Sequence, residues 1–348
     1  MMPAQTSQAT TIPNLNSREA QFLDWFAVTY KSPGLLKHMQ VGNVEYYRNF
    51  QSFKCAEESF ISTGRADNPR LAAIKSAAEF IERWFFIFKR NTILPWETGH
   101  VNINSAGQIN YSLESLHAPK IPKRFQTTSG WAVHFSKEEA LKNALLELME
   151  RHCLLLSFIQ SQWNGFQMIN ELEVDGIIFR SLTSSVHVMG YQAGLVIAER
   201  KNGKGASFGY MLEKADQILT SQKWLHAMQE AYDLIETFRP HAPPPPRSNA
   251  LETSVYDYLT NDFSERQLLS TIPVNSVQTI MNQAQFELFD LSINLGSPVP
   301  LYAAHVWSPD LLPLFATAAI KKEDIDWLNI NYGGLASFDH LPMRSPIL

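Results

Sequence analysis

The sequence contains the pattern Glu-x-x-Glu-Arg twice, at residues 79–83 and 147–151, each time inside a long apolar segment. Glutamates three positions apart share one face of a helix. Apolar residues surround both copies in nearly every other direction, which is typical of a helix inside a protein. Because burying an unpaired charge costs many kcal/mol, the four carboxylates need a partner.

Two arginines cannot neutralise four carboxylates, so a bound cation would balance the remaining charge. Carboxylate oxygens without any softer ligand favour a hard ion, Mg²⁺ in particular. Mg²⁺ held by few carboxylates usually completes its shell with water and substrate phosphates, which implicates a nucleotide. We expect the metal ligands to be Glu79, Glu82, Glu147 and Glu150. A single copy would favour the alternative, in which each arginine neutralises a glutamate on a solvated helix face.

Helix and strand signals place these residues in a mixed α/β fold. Four segments predict helices: 17–30, 69–89, 136–160 and 215–238. The third opens with a capping box, in which the Ser136 hydroxyl is followed three residues later by the Glu139 carboxylate. Strands are expected where β-branched or aromatic residues lie between turn signals, around 100–103, 131–135, 186–198, 207–211 and 301–307.

Composition limits the classes of protein that this chain can be. Of its 348 residues, 45% are hydrophobic and 18% charged, which excludes a disordered chain. The net charge of -5 argues against electrostatic binding of nucleic acid, and two cysteines cannot form a disulfide framework. Without a signal sequence or a long apolar span, we expect a cytoplasmic protein that neither enters a membrane nor binds nucleic acid. We predict a flexible tail over 1–16 and one domain over 17–348, with a proline-rich surface loop at 240–254.

Other candidate sites are weaker. Residues 64–70 bring two arginines to the start of a predicted helix and are a reasonable anion site. Residues 201–205 resemble a phosphate loop, but a turn between two strands explains them better. His134, His152 and His340 are taken as satisfied or exposed, with proton transfer as the alternative. Cys153 is expected to be a small core residue.

The paired Glu-x-x-Glu-Arg helices, with the Ser129-Gly130 strand that leads to Glu139, resemble the YcaO superfamily. The resemblance extends from about residue 64 to the end, including the strand at 299–309. The cyclodehydratase subunit of the microcin-type thiazole/oxazole synthetases is the most similar in pattern. The resemblance implies a YcaO-like fold, in which mixed sheets and helices pack around a central ATP and Mg²⁺ site.

Roles for individual residues follow from this resemblance. Glu147, Glu150 and Arg151 would be catalytic. Contacts to the nucleotide or its metal are implied for Glu79, Glu82, Lys75, Ser76, Glu139, Glu147, Glu150, Arg151 and Glu230. The sequence departs from the family pattern at four positions: Lys75 stands where a small hydroxyl residue is common, Phe135 replaces an asparagine, Asp233 a glutamine and Ile235 an arginine.

The resemblance further implies an ATP-dependent cyclodehydratase that forms azolines at Cys, Ser or Thr of a ribosomally made precursor peptide. A leader-binding partner subunit and a flavin-dependent dehydrogenase subunit are the expected partners, because the chain has little room for a leader-binding domain of its own. We expect docking through aromatic residues taken to be exposed (Phe22, Trp25, Phe26, Tyr46, Tyr47) and through residues 243–246. The alternatives are an enzyme that forms thioamide or amidine, and a catalytically idle scaffold subunit.

Overall fold

The computed structural model describes residues 17–32, 34–55, 58–89, 92–104, 106–114, 129–161, 166–201, 206–237, 277–279, 281–282, 284–311 and 326. The expectations for the tail at 1–16, the loop at 240–254, the turn at 202–205 and His340 lie outside these ranges. No helix in the described ranges is long and apolar enough to cross a membrane.

The elements alternate between strands and helices, as expected of a mixed α/β chain. The helices are α1 (Arg18–Tyr30), α2 (Pro69–Phe88), α3 (Lys137–Ser161), α4 (Lys223–Thr237) and α5 (Leu291–Leu295). The strands are β1 (Leu35–Val41), β2 (Val44–Cys55), β3 (Glu58–Ala66), β4 (Glu97–Ile103), β5 (Ile109–Leu113), β6 (Trp131–His134), β7 (Phe166–Val174), β8 (Ile177–Val188), β9 (Tyr191–Arg200), β10 (Ala206–Lys214), β11 (Val277–Thr279), β12 (Ala284–Asp290) and β13 (Tyr302–Trp307).

The strands form three sheets. The N-terminal sheet is the antiparallel meander β1-β2-β3. The central sheet has the order β5-β4-β12-β13-β6 and is antiparallel throughout. The outer sheet has the order β10-β9-β8-β11, with β7 also paired to β8 and β11 parallel to it. Because β12 pairs with β4, β13 with β6 and β11 with β8, side chains from remote segments meet around the helices between the sheets.

Helix α3 packs between the central and outer sheets and is the middle of the largest core cluster. Its apolar residues, among them Leu141, Leu145 and Met149, are fully buried. Cys153 is buried beside them, which confirms it as a core residue. The helix therefore lies inside the protein, as its apolar surroundings predict.

A second core cluster is aromatic and joins α1 and α2 to the central sheet. Phe22 and Phe26 are 0% and 2% exposed, and the Phe26 ring meets that of Phe80 edge-on at 5.1 Å. Tyr46 is only 1% exposed. The prediction that Phe22, Phe26 and Tyr46 form an exposed docking surface is therefore wrong, because they fill the interior between helices and sheets.

Two glycines bring a strand into direct contact with a helix backbone. A Cβ on Gly64 of β3 would lie 2.0 Å from the carbonyl oxygen of Ala72 in α2. A Cβ on Gly209 of β10 would lie 1.8 Å from the carbonyl oxygen of Ala227 in α4. Both distances are far below any real contact, so only glycine allows these helices to pack so closely.

Local structure differs from expectation in two places. The strand expected over 186–198 is a hairpin: β8 ends at Val188, and Met189 and Gly190 adopt positive φ angles of 52° and 80° before β9 begins. Such a turn matches the twist of the flanking strands. The helix expected over 215–238 begins later, at Lys223, because a 3₁₀ turn over Ile218–Thr220 precedes it.

Asp233 of α4 ties this helix to the N-terminal sheet. Its side chain is fully buried and accepts a hydrogen bond of 2.6 Å from the Tyr46 hydroxyl. The Arg65 Nε also donates to it, and the Arg48 Nε lies 3.5 Å away. A buried carboxylate is stable only when paired in this way, so the substitution of glutamine by aspartate that the resemblance noted is part of a structural network.

We predict that Tyr46→Phe lowers the free energy of unfolding by about 1.5–3 kcal/mol, the range for a hydrogen bond to a charged group. Urea denaturation checks the value. Tyr47→Phe is the matched control, because Tyr47 points to the other face of the strand, where its ring contacts His38. Equal losses in both variants would contradict the network.

Candidate functional site

A cavity of about 750 Å³ lies where α1, α2, α3 and α4 meet strands β3 and β6. Its charged lining consists of Arg18, Glu19, Arg65, Lys75, Glu79, Glu82, Arg83, Glu147, Arg151 and Glu230. The structure therefore brings three of the four predicted glutamates, Glu79, Glu82 and Glu147, to one cavity, although strands β4, β5 and β6 separate α2 from α3 in sequence. It also adds Glu230 from a third helix.

The first acid of each motif helix holds the backbone of a neighbouring strand. Glu79 accepts the N–H of Thr63 at 2.9 Å. Glu147 accepts the N–H groups of Gly130 and Trp131 at 3.1 and 3.2 Å. Glu230 of α4 does the same with the N–H of Tyr210, at 3.1 Å, so each helix is fixed to a strand through one carboxylate oxygen.

The second acid of each glutamate pair, Glu82 or Glu150, lies where little water reaches it. Burial raises the pKa of Glu82 well above its usual value, and the charges of Glu147 and Glu79 raise it further. Burial likewise raises the pKa of Glu150 to about 7, against the pull of Arg151. Glu150 does not line the cavity but lies behind it, with 16% of its side chain exposed. The ionised forms of these acids are therefore unfavourable unless a cation balances them.

Arg151 lies among these acids. Its Nε is 3.7 Å from Glu147 and its Nη1 is 3.8 Å from Glu150, both longer than good hydrogen bonds. Its guanidinium also lies over the Tyr210 ring, 5.1 Å from the centroid. Among the described residues none accepts a hydrogen bond from the buried Nη1, so it can donate to an acceptor that a ligand supplies.

The other residues that were predicted to contact the nucleotide do not all line the cavity. Lys75 lines the cavity, and its Nζ donates to the carbonyl oxygen of Arg65 at 3.1 Å. Ser76 of α2 is buried, with its hydroxyl 3.5 Å from the carbonyl of Ser62, and does not line the cavity. Glu139 is also outside the lining; its side chain is 47% exposed and lies 3.9 Å from Lys142. The structure therefore does not bring Ser76 and Glu139 to the acid cluster.

The expected capping box at the start of α3 forms only in part. The Ser136 oxygen accepts the N–H of Glu139 at 3.4 Å, but its hydroxyl donates to Glu138 instead. The N–H of Ser136 donates to Nδ1 of His134 at 3.2 Å, which leaves Glu139 without its expected capping partner. The departure at Phe135 also reaches the site, since this ring lines the cavity beneath the guanidinium of Arg18, 5.1 Å away. Ile235 is buried in the core.

The sequence interpretation missed Arg65 and His226 as individual site residues, although both line the cavity. A signal existed for each. Arg65 belongs to the segment that was considered as an anion site, and His226 lies four residues before Glu230, on the same helix face.

The acid cluster fits a hard cation that shares its ligands with a phosphate. Within the described ranges, no three carboxylate, imidazole or thiol groups are close enough to hold an ion by themselves. Mg²⁺ does not require such a cage, because it binds through one or two carboxylates together with water and phosphate oxygens. The donor set of carboxylates and the burial of Glu82 suit this type of ligand, and so does the Arg151 Nη1, for which the described ranges hold no hydrogen-bond acceptor.

We predict that the ligand-free protein becomes less stable as pH rises from 6 to 7. The pKa of Glu150 is about 7 in the folded protein and 4.5 when unperturbed, so between these values the folded state binds more protons and loses stability with rising pH. The expected contribution is about 1 kcal/mol, and Glu150→Gln removes it. Glu138→Gln, an exposed change on the same helix whose pKa is lowered, should leave the pH dependence of denaturation intact.

Comparison with known proteins identifies the fold of this chain. No protein-family model matches the sequence, and no curated protein is similar in sequence. A YcaO protein from Methanopyrus kandleri, solved with AMPPCP and Mg²⁺ bound, superposes with a TM-score of 0.51 at 13% identity, over 83% of this chain and 90% of that one. A heterocyclase solved with substrate and cofactor has a TM-score of 0.47 at 14% identity, over 82% of this chain and 52% of that one. The first of these likenesses, together with the three-sheet architecture, shows that this chain has the YcaO fold.

Proposed function

We propose that the chain is an ATP- and Mg²⁺-dependent cyclodehydratase that activates backbone amides of a ribosomally made precursor peptide. The observation that carries the proposal is the convergence of Glu79, Glu82, Glu147, Glu230 and Arg151 on one cavity. Retaining so many half-buried acids disfavours the idle-scaffold alternative, because unbalanced buried charge destabilises a protein with no ligand to hold.

Glu79, Glu82, Glu147 and Glu150 would hold Mg²⁺, and the nucleotide phosphates would complete its shell. The YcaO protein of the same fold was solved with an ATP analogue and Mg²⁺, which supports this assignment. When bound, the metal supplies positive charge where negative charge develops on the transferred phosphoryl group. Lys75 from α2 and Glu230 from α4 line the cavity and would contact the nucleotide or its metal. Ser76 and Glu139 lie outside this lining and are left out of the proposed contacts.

The chemistry needs positioning and electrostatic stabilisation rather than a covalent enzyme intermediate. A Cys, Ser or Thr side chain of the peptide attacks the preceding amide carbon, and the amide oxygen takes the γ-phosphoryl group of ATP. The C–O bond then breaks, phosphate leaves with that oxygen, and an azoline ring remains. The Arg151 Nη1, for which the described part of the chain holds no acceptor, can donate to the phosphoryl oxygens during this transfer.

The proposed setting is a multi-subunit synthetase in the cytoplasm. A separate subunit would bind the leader of the precursor, and a flavin-dependent dehydrogenase subunit would oxidise azolines to azoles. Formation of a thioamide or amidine uses the same amide activation with a different nucleophile. The product distinguishes these reactions, since a thioamide gains sulfur in place of oxygen, and in fragment spectra the loss of water that forms an azoline maps to a Cys, Ser or Thr.

We predict that ATP binds only in the presence of Mg²⁺, because the clustered carboxylates repel a bare triphosphate. Calorimetry should show saturable binding with Mg²⁺ and at least about tenfold weaker binding in EDTA. Equal affinity under both conditions would contradict the assignment of the metal ligands.

We predict that Glu147→Gln reduces turnover about 100-fold or more while the protein remains folded. The glutamine carbonyl can still accept the N–H groups of Gly130 and Trp131, so the strand contact survives. Mass spectrometry of a Cys-, Ser- and Thr-rich peptide encoded beside the gene measures loss of water, with the partner subunit added. Glu138→Gln is the matched control, and a wild-type rate for Glu147→Gln would show that this acid is only structural.

A further inference from the structure

Arg151, the proposed donor to the phosphoryl group, is held only loosely by its acidic neighbours. Its Nε lies 3.7 Å from Glu147 and its Nη1 lies 3.8 Å from Glu150, and both distances exceed those of good hydrogen bonds. Both acids are also proposed ligands of Mg²⁺. A metal ion on these carboxylates competes with the guanidinium for their negative charge, because two cations that share an anion repel each other. Arg151 therefore needs a contact that the metal does not take.

The ring of Tyr210 provides such a contact. The central carbon of the Arg151 guanidinium lies over this ring, 5.1 Å from its centroid, which is within the range of a cation–π interaction. The interaction is stronger where water is scarce, and the ring packs against the core cluster around α3. Burial raises the pKa of Tyr210, so its side chain is a neutral phenol at pH 7 and does not compete with the acids for Mg²⁺.

A contact through the ring face uses none of the N–H groups of Arg151. The guanidinium carries five N–H donors, which point outwards in its plane. A carboxylate would occupy one or two of these donors, whereas an aromatic face attracts the cation as a whole. The ring can thus hold the group while its donors remain available to phosphoryl oxygens.

The backbone around Tyr210 is fixed by α4. Strand β10 lies at the end of the outer sheet, and the N–H of Tyr210 donates to Glu230 at 3.1 Å. The preceding residue, Gly209, lies directly against the carbonyl oxygen of Ala227 in α4. Because successive side chains of a strand point to opposite faces, Tyr210 lies on the face away from α4, towards α3. The ring is therefore anchored on one helix and contacts Arg151 on another.

We propose that Tyr210 is a positioning residue, whose ring holds the Arg151 guanidinium in place for phosphoryl transfer while Mg²⁺ occupies the acids. The inference deepens the proposed function and rests on it for the role of Arg151. No part of it requires the tyrosine hydroxyl, so phenylalanine should replace tyrosine at this position and an aliphatic residue should not.

Steady-state kinetics of water loss from the precursor peptide, with the partner subunit added, tests the role. Tyr210→Leu should lower kcat about tenfold, the size of a desolvated cation–π contact, and leave the KM for Mg²⁺-ATP within about twofold of wild type. Tyr210→Phe should keep the wild-type kcat. Tyr191→Leu is the matched control, because Tyr191 of β9 belongs to the same core cluster and does not line the cavity. A wild-type kcat for Tyr210→Leu, or an equal loss in Tyr210→Phe or in the control, would overturn the proposal.

The NMR signal of the Arg151 Nε–H in arginine-labelled protein tests the contact without turnover. Its loss in Arg151→Lys assigns it. The ring current of an aromatic residue shields nuclei above its face, so the signal should lie upfield of ordinary arginine signals, both in the ligand-free protein and with Mg²⁺ and a non-hydrolysable ATP analogue. Tyr210→Phe should keep this shift and Tyr210→Leu should remove it. An ordinary position in wild-type protein in either state would overturn the proposal, even if Tyr210→Leu does not fold.

Failure of this inference is distinct from failure of the proposed function. If the wild-type enzyme dehydrates the peptide and Tyr210→Leu does so equally fast, Tyr210 has no positioning role and the proposed function stands. If wild-type protein neither binds Mg²⁺-ATP nor removes water from the peptide, the proposed function fails and the role of Tyr210 fails with it.

Discussion

A carboxylate oxygen bonded to a strand N–H is the interaction on which the site depends. It occurs at Glu79, Glu147 and Glu230, once in each of α2, α3 and α4. The bond fixes the position of each helix along its strand. Helical geometry then puts the residue three positions later on the same face of the helix. In α2 and α3 that residue is a second acid, which must lie where water is scarce. The raised pKa values of Glu82 and Glu150 are the direct consequence.

In α4 the same geometry has a different outcome. The residue three positions after Glu230 is Asp233, which points into a network of Arg65, Arg48 and Tyr46. Its negative charge therefore fixes a cation at the cavity wall and is satisfied within the protein. The same spacing of acids therefore has two results. At α2 and α3 it leaves acids that the protein does not balance, and at α4 it fixes the positive charge of Arg65 at the cavity wall. The cavity holds both signs of charge, as a metal–phosphate ligand requires.

The sequence was most informative where structure is local. The apolar surroundings of 147–151 identified α3 as an interior helix, and the spacing of the acids identified the charge that needs balancing. The contacts that it could not supply are long-range: Tyr46 and Arg65 reach Asp233 across 187 and 168 residues. The strands of the N-terminal sheet escaped prediction for a related reason, since β1 is mostly exposed and its residues do not alternate between apolar and polar. Without the pairing of that sheet, the aromatic residues of α1 and β2 could not be recognised as buried.

The glycine contacts between strand and helix limit how the cavity can move. At Gly64 and Gly209 no side chain separates β3 from α2 or β10 from α4, and carbonyl oxygens of the helix fill the space where a Cβ would stand. Strand and helix cannot slide past each other without a collision of their backbones, so β3 with α2, and β10 with α4, each move as one rigid unit. Any widening of the cavity must then take place between these two rigid units, where each of them borders α3. A ligand that contacts groups of α2, α3 and α4 at once would hold the three helices at fixed distances from one another and so restrict this motion.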